Sequence, residues 1–259
     1  YGVLASQHDV HRFTEVVEGR DQFVTKPAHG AGGDGILVVT GRRGKLFRKA
    51  SGHLIEAGDL AHHLSSTLSG LYSLGGQRDR VMIEYCVQFD PLFEKIAFQG
   101  VPDIRIIVFK GHPVMAMVRL PTRSSDGKAN LHQGAVGAGI DLATGRTLSG
   151  VWGTQVIDEH PDTGEAISDL RIPAWDRMLE IAAQAYEMTG LGYLGVDLVL
   201  DRHLGPLMLE LNARPGLAIQ IANGRGLWQR LRTVDAEADP DASLEARLAF
   251  SRERFAHDG

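Results

Sequence analysis

Two neighbouring segments near the C-terminal end carry polar side chains in otherwise apolar surroundings. Asp197 lies in GVDLVLD, and Glu210 and Asn212 lie in LMLELNARPG. Because alternate residues of a strand face the same side, Glu210 and Asn212 share a face. Two carboxylates and an amide oxygen suit Mg²⁺, which keeps several waters and bridges to substrate phosphates. The pattern predicts a magnesium site, with structural pairing of the acids by arginines such as Arg214 as the alternative.

A second segment whose residues could bind a ligand is the glycine loop, GAGGDG at residues 30–35. It matches the G-x-G-x-x-G pattern. In dinucleotide-binding proteins this loop is followed by a helix. Here ILVVT follows, which favours a strand and argues against a Rossmann fold. Between antiparallel strands, the loop can cover phosphates with its backbone N–H groups, and Lys26 can reach the same phosphates. The alternative is a flexible hairpin turn beside a solvated lysine.

Short strands must position these residues. A hairpin surrounds the glycine loop, and a helix over 59–74 is predicted to begin at Asp59 as its N-cap. A polar loop over 121–139 is expected to close over the site. Ser243 is expected to cap a terminal helix. The remaining elements are strands at 81–87, 104–109, 114–120, 193–201 and 206–212 and a helix from Trp175 that ends near Gly190. This order predicts an α+β fold with mostly antiparallel pairs.

Composition limits the classes of protein. The 259 residues include 31 glycines, carry a net charge of −5 and are 43% hydrophobic, which is typical of a folded domain and not of a general nucleic-acid binder. The single cysteine, Cys86, excludes an internal disulfide framework and a multi-cysteine zinc site. No long apolar run or signal peptide is visible, so we expect a cytoplasmic protein without membrane association.

The ordered set KPAHGAGGDGI, IEYCV, PDIRIIVFKGHPVMAMVR, NLHQGA, GVDLVL and LELNARPG resembles the ATP-grasp superfamily, closest to its alpha-L-glutamate ligase-like branch of ribosomal-protein glutamate-ligase type. The resemblance covers roughly residues 20 to 225. It implies an α+β fold in which two lobes with antiparallel sheets hold ATP. It also implies ligation of a carboxylate to an amine through an acyl phosphate, with ATP and Mg²⁺, or Mn²⁺, as cofactors.

The resemblance also implies roles for individual residues. Arginines hold the transferred phosphate and the substrate carboxylate, a polar residue lies near phosphate and metal, and a strand after the first lobe reads adenine. The implied catalytic residues are Arg105, Arg119 and Asn130; the nucleotide-binding residues are Lys26, Gly30, Gly32, Gly33, Glu84, Tyr85, Cys86 and Asp90; the metal ligands are Asp197, Glu210 and Asn212. For ribose, Asp90 and Glu94 both qualify. Arg105 has a structural ion pair as its alternative role.

Three segments are expected along the chain. Residues 1–80 form the smaller lobe with the glycine loop, residues 81–234 the larger lobe with hinge and metal site, and residues 235–259 a charged helical tail. Because the sequence begins with Tyr1, we expect an upstream segment, including the N-terminal domain that the family usually adds.

Several functions fit these features. The first is a ligase that adds glutamate or another amino acid to a peptide or small acid. A nucleotide-binding regulatory module and a small-molecule kinase are the alternatives. The expected partners are a carboxylate and an amine co-substrate, without nucleic acid or membrane, and a homo-oligomer is left open.

Overall fold

The computed structural model describes residues 1–30 and 32–257. Ala31, within the predicted glycine loop, lies outside the described residues. The chain divides into two compact units, Tyr1–Val87 and Gln88–Gly259. This boundary differs from the predicted one between residues 80 and 81, because the strand Val81–Glu84 pairs with strands of the first unit.

The first unit is built on a six-stranded sheet. Its strands are β1 (Gly2–Leu4), β2 (Phe23–Pro27), β3 (Leu37–Arg43), β4 (Leu46–Lys49), β5 (Leu54–Ile55) and β6 (Val81–Glu84), in the order β1-β6-β2-β3-β4-β5. Strands β2 and β3 pair antiparallel on either side of the glycine loop. The expected hairpin is therefore present, and the strand after the loop argues against a dinucleotide fold. Buried and half-buried residues alternate along β2, which turns Thr25 inward and Lys26 to the opposite face.

Two helices complete the first unit, α1 (Phe13–Val16) and α2 (Ala57–Leu68). The predicted helix over 59–74 is shifted. Asp59 lies inside the first turn, where its carboxylate accepts from the backbone N–H of Glu56 at 3.1 Å. The helix ends before Gly70, which has φ +94 and whose Cβ would lie 2.2 Å from the carbonyl oxygen of Gln77. Leu60, Leu64 and Leu68 face the core, whereas Leu71 and Leu74 are exposed.

The second unit is built on a seven-stranded antiparallel sheet. Its strands are β7 (Asp103–Phe109), β8 (His112–Leu120), β9 (Val136–Ile140), β10 (Thr147–Trp152), β11 (Gln155–Ile157), β12 (Tyr193–Asp201) and β13 (Gly205–Asn212), in the order β11-β10-β9-β8-β7-β12-β13. Its helices are α3 (Pro91–Ile96), α4 (Trp175–Thr189), α5 (Ile219–Asn223), α6 (Leu227–Glu237) and α7 (Leu244–Arg254). The predicted α+β class is confirmed.

Strand β12 carries the first predicted metal ligand and is paired on both sides. It lies between β7 and β13, and eight of its nine residues are buried. The ladder with β13 has one irregularity, since Asp197 pairs with Glu210 while Leu198 pairs with Met208. Leu209 is left as an extra residue, which is the pattern of a β-bulge.

The predicted loop over 121–139 is partly wrong. Residues 136–140 form β9, in which Gly137 pairs with Arg119 and is buried. Glycine and alanine dominate this strand, so its sequence carries little strand preference, and its pairing with β8 determines its structure. The remaining loop is held by hydrogen bonds, since the Thr122 hydroxyl within it and the Trp152 indole N–H of β10 both donate to the carbonyl oxygen of Gly134 at 2.8 Å.

The predicted C-terminal helix is present as α7. The Ser243 hydroxyl accepts from the backbone N–H of Ala246 at 3.2 Å, as expected of an N-cap. The helix contacts α4 and β8, so it is part of the second unit and not a separate tail. None of the helices in the described residues is long and apolar enough to span a membrane.

Candidate active site

Strand register in the second unit brings the predicted arginines and acids onto one face. Asp197 on β12 lies opposite Arg105 on β7 and opposite Glu210 on β13. Asp103, two residues before Arg105, lies opposite Arg119 on β8. Directly paired residues of antiparallel strands point to the same side of the sheet, so these five side chains lie together.

The arginines are engaged by carboxylates. The Arg105 guanidinium donates to both oxygens of Asp197, with Nε–Oδ1 2.7 Å and Nη2–Oδ2 2.6 Å. Arg119 donates to Asp197 Oδ2 at 3.0 Å and forms a two-bond fork with Asp103. All four side chains are nearly buried, which makes this an internal ion network and not a surface salt bridge.

Sequence reasoning missed Asp103. The signal was available in PDIR, because Asp103 and Arg105 are two residues apart on a strand and therefore share a face. The carboxylate of Asp103 forms an ion pair with Arg119, one of the two arginines predicted to bind the phosphate and the substrate. Asp103 therefore belongs to the candidate site as the group that orients Arg119.

Burial and charge act in opposite directions on these groups. Burial favours the neutral form of Asp197, but hydrogen bonds and charges from Arg105 and Arg119 outweigh it and hold its pKa below the ordinary value. Burial disfavours the charge of Arg119, but Asp103 and Asp197 outweigh it and raise its pKa. Burial, assisted by the charge of Asp197, raises the pKa of Asp103 despite Arg119. The network is therefore sensitive to the loss of any charge.

The three predicted metal ligands meet at one point. Asn212 Nδ2 lies 3.2 Å from Asp197 Oδ2 and 3.2 Å from Glu210 Oε1. Rotation of this amide by half a turn presents its oxygen to the same point, and two carboxylates with an amide oxygen suit Mg²⁺. The described residues contain no group of three His, Cys, Asp or Glu side chains that could hold a metal, so this set depends on Asn212.

The alternative of structural pairing by arginine holds for Asp197, but through different residues. Arg214 is exposed, whereas Arg105 and Arg119 are the actual partners. Arg105 in this structure forms the ion pair that was its alternative role. Its binding to phosphate stays a prediction.

In the first unit, two predicted nucleotide-binding residues form an ion pair. Lys26 Nζ lies 2.7 Å from Glu84 Oε2, with the lysine side chain 19% exposed and the glutamate 40%. Lys26 is on β2 and Glu84 is on the neighbouring β6. Tyr85 and the buried Cys86 follow directly after this strand.

The backbone of the glycine loop fits a role beside phosphates. Gly32 and Gly33 have φ of +65° and +82°, which other residues adopt only with strain. Among the described residues, apart from the immediate chain neighbours, no atom lies within 4 Å of a Cβ built on either. Gly30 instead forms an isolated bridge with Ser73. The loop is therefore fixed at its start and open at its centre.

Asp79 fixes the start of the loop. This buried carboxylate accepts from the backbone N–H and the ring Nδ1 of His29 at 3.0 and 2.7 Å, from the Ser73 hydroxyl at 2.5 Å and from the backbone N–H of Arg80 at 2.8 Å. Burial alone would raise the pKa of Asp79, but these hydrogen bonds outweigh it and lower the pKa to about 2.

Acid should reveal this contribution. The pKa of Asp79 is about 2 in the folded chain against an ordinary value of 3.8, so the stabilisation is present above about pH 4 and is lost as the pH falls toward 2. We expect the free energy of unfolding of the wild-type chain to fall more steeply over this range than that of Asp79→Asn. Urea unfolding followed by far-ultraviolet circular dichroism measures both, with the exposed Asp21→Asn as control. Equal slopes for wild type and Asp79→Asn would contradict the assignment.

Two predicted site residues have local roles in this structure. Asn130 accepts from the backbone N–H of His132 at 3.0 Å and caps a short 3-10 helix. Asp90 accepts from the backbone N–H of Leu92 at 2.9 Å and caps α3. Glu94, the other ribose candidate, pairs with Arg202. The functions assigned to Asn130 and Asp90 stay predictions, and the choice between Asp90 and Glu94 stays open.

Known proteins resemble this chain over different lengths. Residues 1–236 match the family model described as sugar-transfer associated ATP-grasp. A probable alpha-L-glutamate ligase of Enterobacter sp. (strain 638) is 30% identical over 115 residues, which cover 44% of this chain and 27% of that protein. The chain thus spans about a quarter of the length of this curated relative.

Similarity to solved structures is low in sequence and indicates the same fold where the TM-score exceeds 0.5. A biotin carboxylase from Campylobacter jejuni, in a β-γ-ATP complex, is 17% identical with a TM-score of 0.52, over 95% of this chain and 43% of that one. A D-cycloserine synthetase is 16% identical with a TM-score of 0.43, over 98% of this chain and 64% of that one.

Proposed function

Because the chain belongs to the sugar-transfer associated ATP-grasp family, we propose that it is an ATP- and Mg²⁺-dependent carboxylate–amine ligase that releases ADP. The observation that carries this proposal is the register of β7, β12 and β13. It aligns Arg105, Asp197 and Glu210 across three strands, next to Arg119 and Asn212. Such a mixed set of arginines and acids suits the joining of two anions, a carboxylate and a nucleotide phosphate.

The proposed reaction has two steps. A carboxylate oxygen of the acid attacks the γ-phosphorus of ATP, the bond to the bridging oxygen breaks, and ADP leaves. The amine then attacks the acyl carbon, phosphate leaves with the bonding electrons, and the amine loses a proton to give the amide. Both steps develop negative charge on oxygens, which guanidinium groups stabilise bidentately.

Each group of residues in this chain has its own role in the proposed reaction. Asp197, Glu210 and Asn212 would hold Mg²⁺, which neutralises phosphate charge when bound. Arg105 and Arg119 would bind the transferred phosphate and the substrate carboxylate. In the first unit, Lys26 and the glycine loop would contact nucleotide phosphates, and the backbone of residues 84–86 would contact adenine.

Existing ion pairs explain how these charges are tolerated without substrate. Arg105 and Arg119 neutralise Asp197, and Glu84 neutralises Lys26. Binding of phosphate would give each cation a new anionic partner, and binding of Mg²⁺ would give Asp197 a new cationic one. The exchange keeps every buried charge paired, which avoids the large cost of an isolated buried ion.

The amine substrate is proposed to be glutamate or another amino acid. The relative named as a probable alpha-L-glutamate ligase supports this choice. A kinase that stops at the phosphorylated acid and a regulatory nucleotide-binding module remain the alternatives. Cytoplasmic location also stays a prediction, and a homo-oligomer stays open.

Calorimetry with MgATP, followed by an ADP-release assay over amino acids and carboxylic acids, tests the proposal. We expect ATP binding, and ADP release that requires both an acid and an amine, with the amide detected by mass spectrometry. ADP release with the acid alone and an acyl phosphate as product would favour the kinase. Binding without ADP release would favour the regulatory module, and failure to bind ATP would exclude all three.

A further inference from the structure

The cluster of His29, Ser73 and Asp79 in the first unit has no role in the mechanism above. Its centre is a carboxylate whose side chain is 0% exposed, yet one of its partners is an imidazole whose side chain is 69% exposed. A buried acid is thus used to orient an exposed ring. This arrangement needs an explanation, because ordering an exposed side chain costs conformational entropy.

Asp79 holds His29 at two atoms. Oδ2 accepts from the backbone N–H at 3.0 Å and Oδ1 lies 2.7 Å from ring Nδ1. An ionised carboxylate only accepts hydrogen bonds, so Nδ1 must carry the proton. Asp79 therefore fixes the ring orientation and the proton on Nδ1 together, and Nε2, the nitrogen that Asp79 does not contact, donates a hydrogen bond only when the ring is doubly protonated.

The position of the ring in the chain indicates its target. His29 directly precedes Gly30, where the glycine loop begins, and follows Lys26 by three residues. The backbone around it is also fixed, since its carbonyl oxygen accepts from the N–H of Leu74 at 3.1 Å and Ala28 N–H donates to the carbonyl of Arg80 at 3.0 Å. The imidazole is thus attached to the rigid base of a phosphate-binding loop.

Anchoring the loop does not by itself require the ring. Asp79 already accepts from the backbone of His29, from Ser73 and from the backbone of Arg80. Any residue with a backbone N–H at position 29 would make the first of these bonds. The ring contact adds orientation of Nε2, which is the usual effect of a carboxylate behind a functional histidine.

We propose that His29 Nε2–H donates to a nucleotide phosphate oxygen at the glycine loop, and that Asp79 is the positioning residue that aims it. Both bonds are donated by the doubly protonated ring, Nδ1–H to the carboxylate and Nε2–H to the phosphate. This inference rests on the proposed function, because it requires ATP as the ligand. It adds a phosphate contact to those expected of Lys26 and the loop backbone.

A nucleotide, the corresponding nucleoside and one close substitution separate this role from a structural one. In His29→Asn, the amide nitrogen can replace Nδ1 and keep the bond to Asp79, but nothing replaces Nε2. Calorimetry at neutral pH with MgATP and with adenosine, on the whole chain, gives the affinities. We expect His29→Asn to weaken MgATP binding about tenfold, as for the loss of one charge-assisted hydrogen bond, while adenosine affinity and Tm stay unchanged.

The role of Asp79 is tested by combining substitutions. If Asp79 acts through the ring in addition to fixing the loop, Asp79→Asn weakens MgATP binding more in the wild-type background than in His29→Asn, so the two losses are not additive. If Asp79 only fixes the loop, the two effects add, and the positioning role is wrong.

The remaining outcomes distinguish failure of the phosphate contact from failure of the proposed function. Equal MgATP affinity of wild type and His29→Asn overturns the phosphate contact and leaves the proposed function intact. An equal loss for MgATP and adenosine also overturns it, because the effect would then not depend on phosphate. If the wild-type chain does not bind MgATP, the proposed function and this inference both fail.

Discussion

Glu210→Gln is expected to lower Mg²⁺-dependent ADP release on the order of 100-fold or more, while the fold is retained. The substitution removes a negative charge from the proposed metal set and keeps the size of the side chain. Glu210 is exposed, and its hydrogen bond in the described structure is to Asn212. Its charge is therefore not needed to balance a buried partner. Asp197 would be a poorer choice, since its loss would leave Arg105 and Arg119 without their shared acid.

The measurement is the rate of ADP release as a function of Mg²⁺ concentration, with circular dichroism and Tm to establish folding. We expect half-maximal activity to require more Mg²⁺ in Glu210→Gln, and Mn²⁺ to restore part of the rate. Glu165→Gln, at another exposed acid of the same unit, is the matched control and should leave the rate unchanged. Wild-type activity in Glu210→Gln would show that the metal ligands are assigned wrongly.

Arg119→Leu is expected to reduce the free energy of unfolding of the second unit by about 3–5 kcal/mol, as is typical when one partner of a buried ion pair is removed. Arg119 is 9% exposed and is shared by Asp103 and Asp197. Leucine leaves the Asp103 carboxylate without its guanidinium partner in a buried position. Protonation of that acid limits the loss, which is why a figure beyond this range is not expected.

Urea unfolding followed by tryptophan fluorescence measures this effect, because all three tryptophans, Trp152, Trp175 and Trp228, lie in the second unit. Arg177→Leu is the control, since this exposed arginine pairs with Glu180 across one helical turn and should cost about 0.5 kcal/mol or less. The double substitution with Asp103→Asn should recover part of the stability. A loss below about 1 kcal/mol in Arg119→Leu would mean that the network contributes little to folding.

Local sequence patterns were sufficient for the strands that carry the site. β-branched and leucine-rich runs indicated β7, β12 and β13, and the two-residue period placed Glu210 and Asn212 on one face, as the structure has them. The resemblance to the ATP-grasp superfamily is confirmed by the family match over residues 1–236. The roles of the individual residues stay predictions.

Contacts between distant parts of the chain cannot be predicted from local sequence patterns. Asp79 and His29 are 50 residues apart, and Arg105 and Asp197 are 92 apart, so no local pattern records either pair. The same holds for β9, whose glycines and alanines form a strand only because β8 supplies a partner. The end of α2 depended on a close backbone approach at Gly70, which spacing of leucines cannot show.

The bulge at Leu209 lies on an edge strand, which is the part of a sheet that can pair with another chain. Strand β13 lies at the edge of the seven-stranded sheet in the described structure, where free backbone groups can recruit another strand. Met208 and Leu209 are both more than a third exposed there, so the edge also carries apolar surface. A bulge interrupts the flat ladder, and the neighbouring charge of Glu210 opposes the approach of a second edge. We expect the charge of Glu210 to oppose pairing of this edge with another strand, so an apolar substitution at this position would lower solubility and catalysis together.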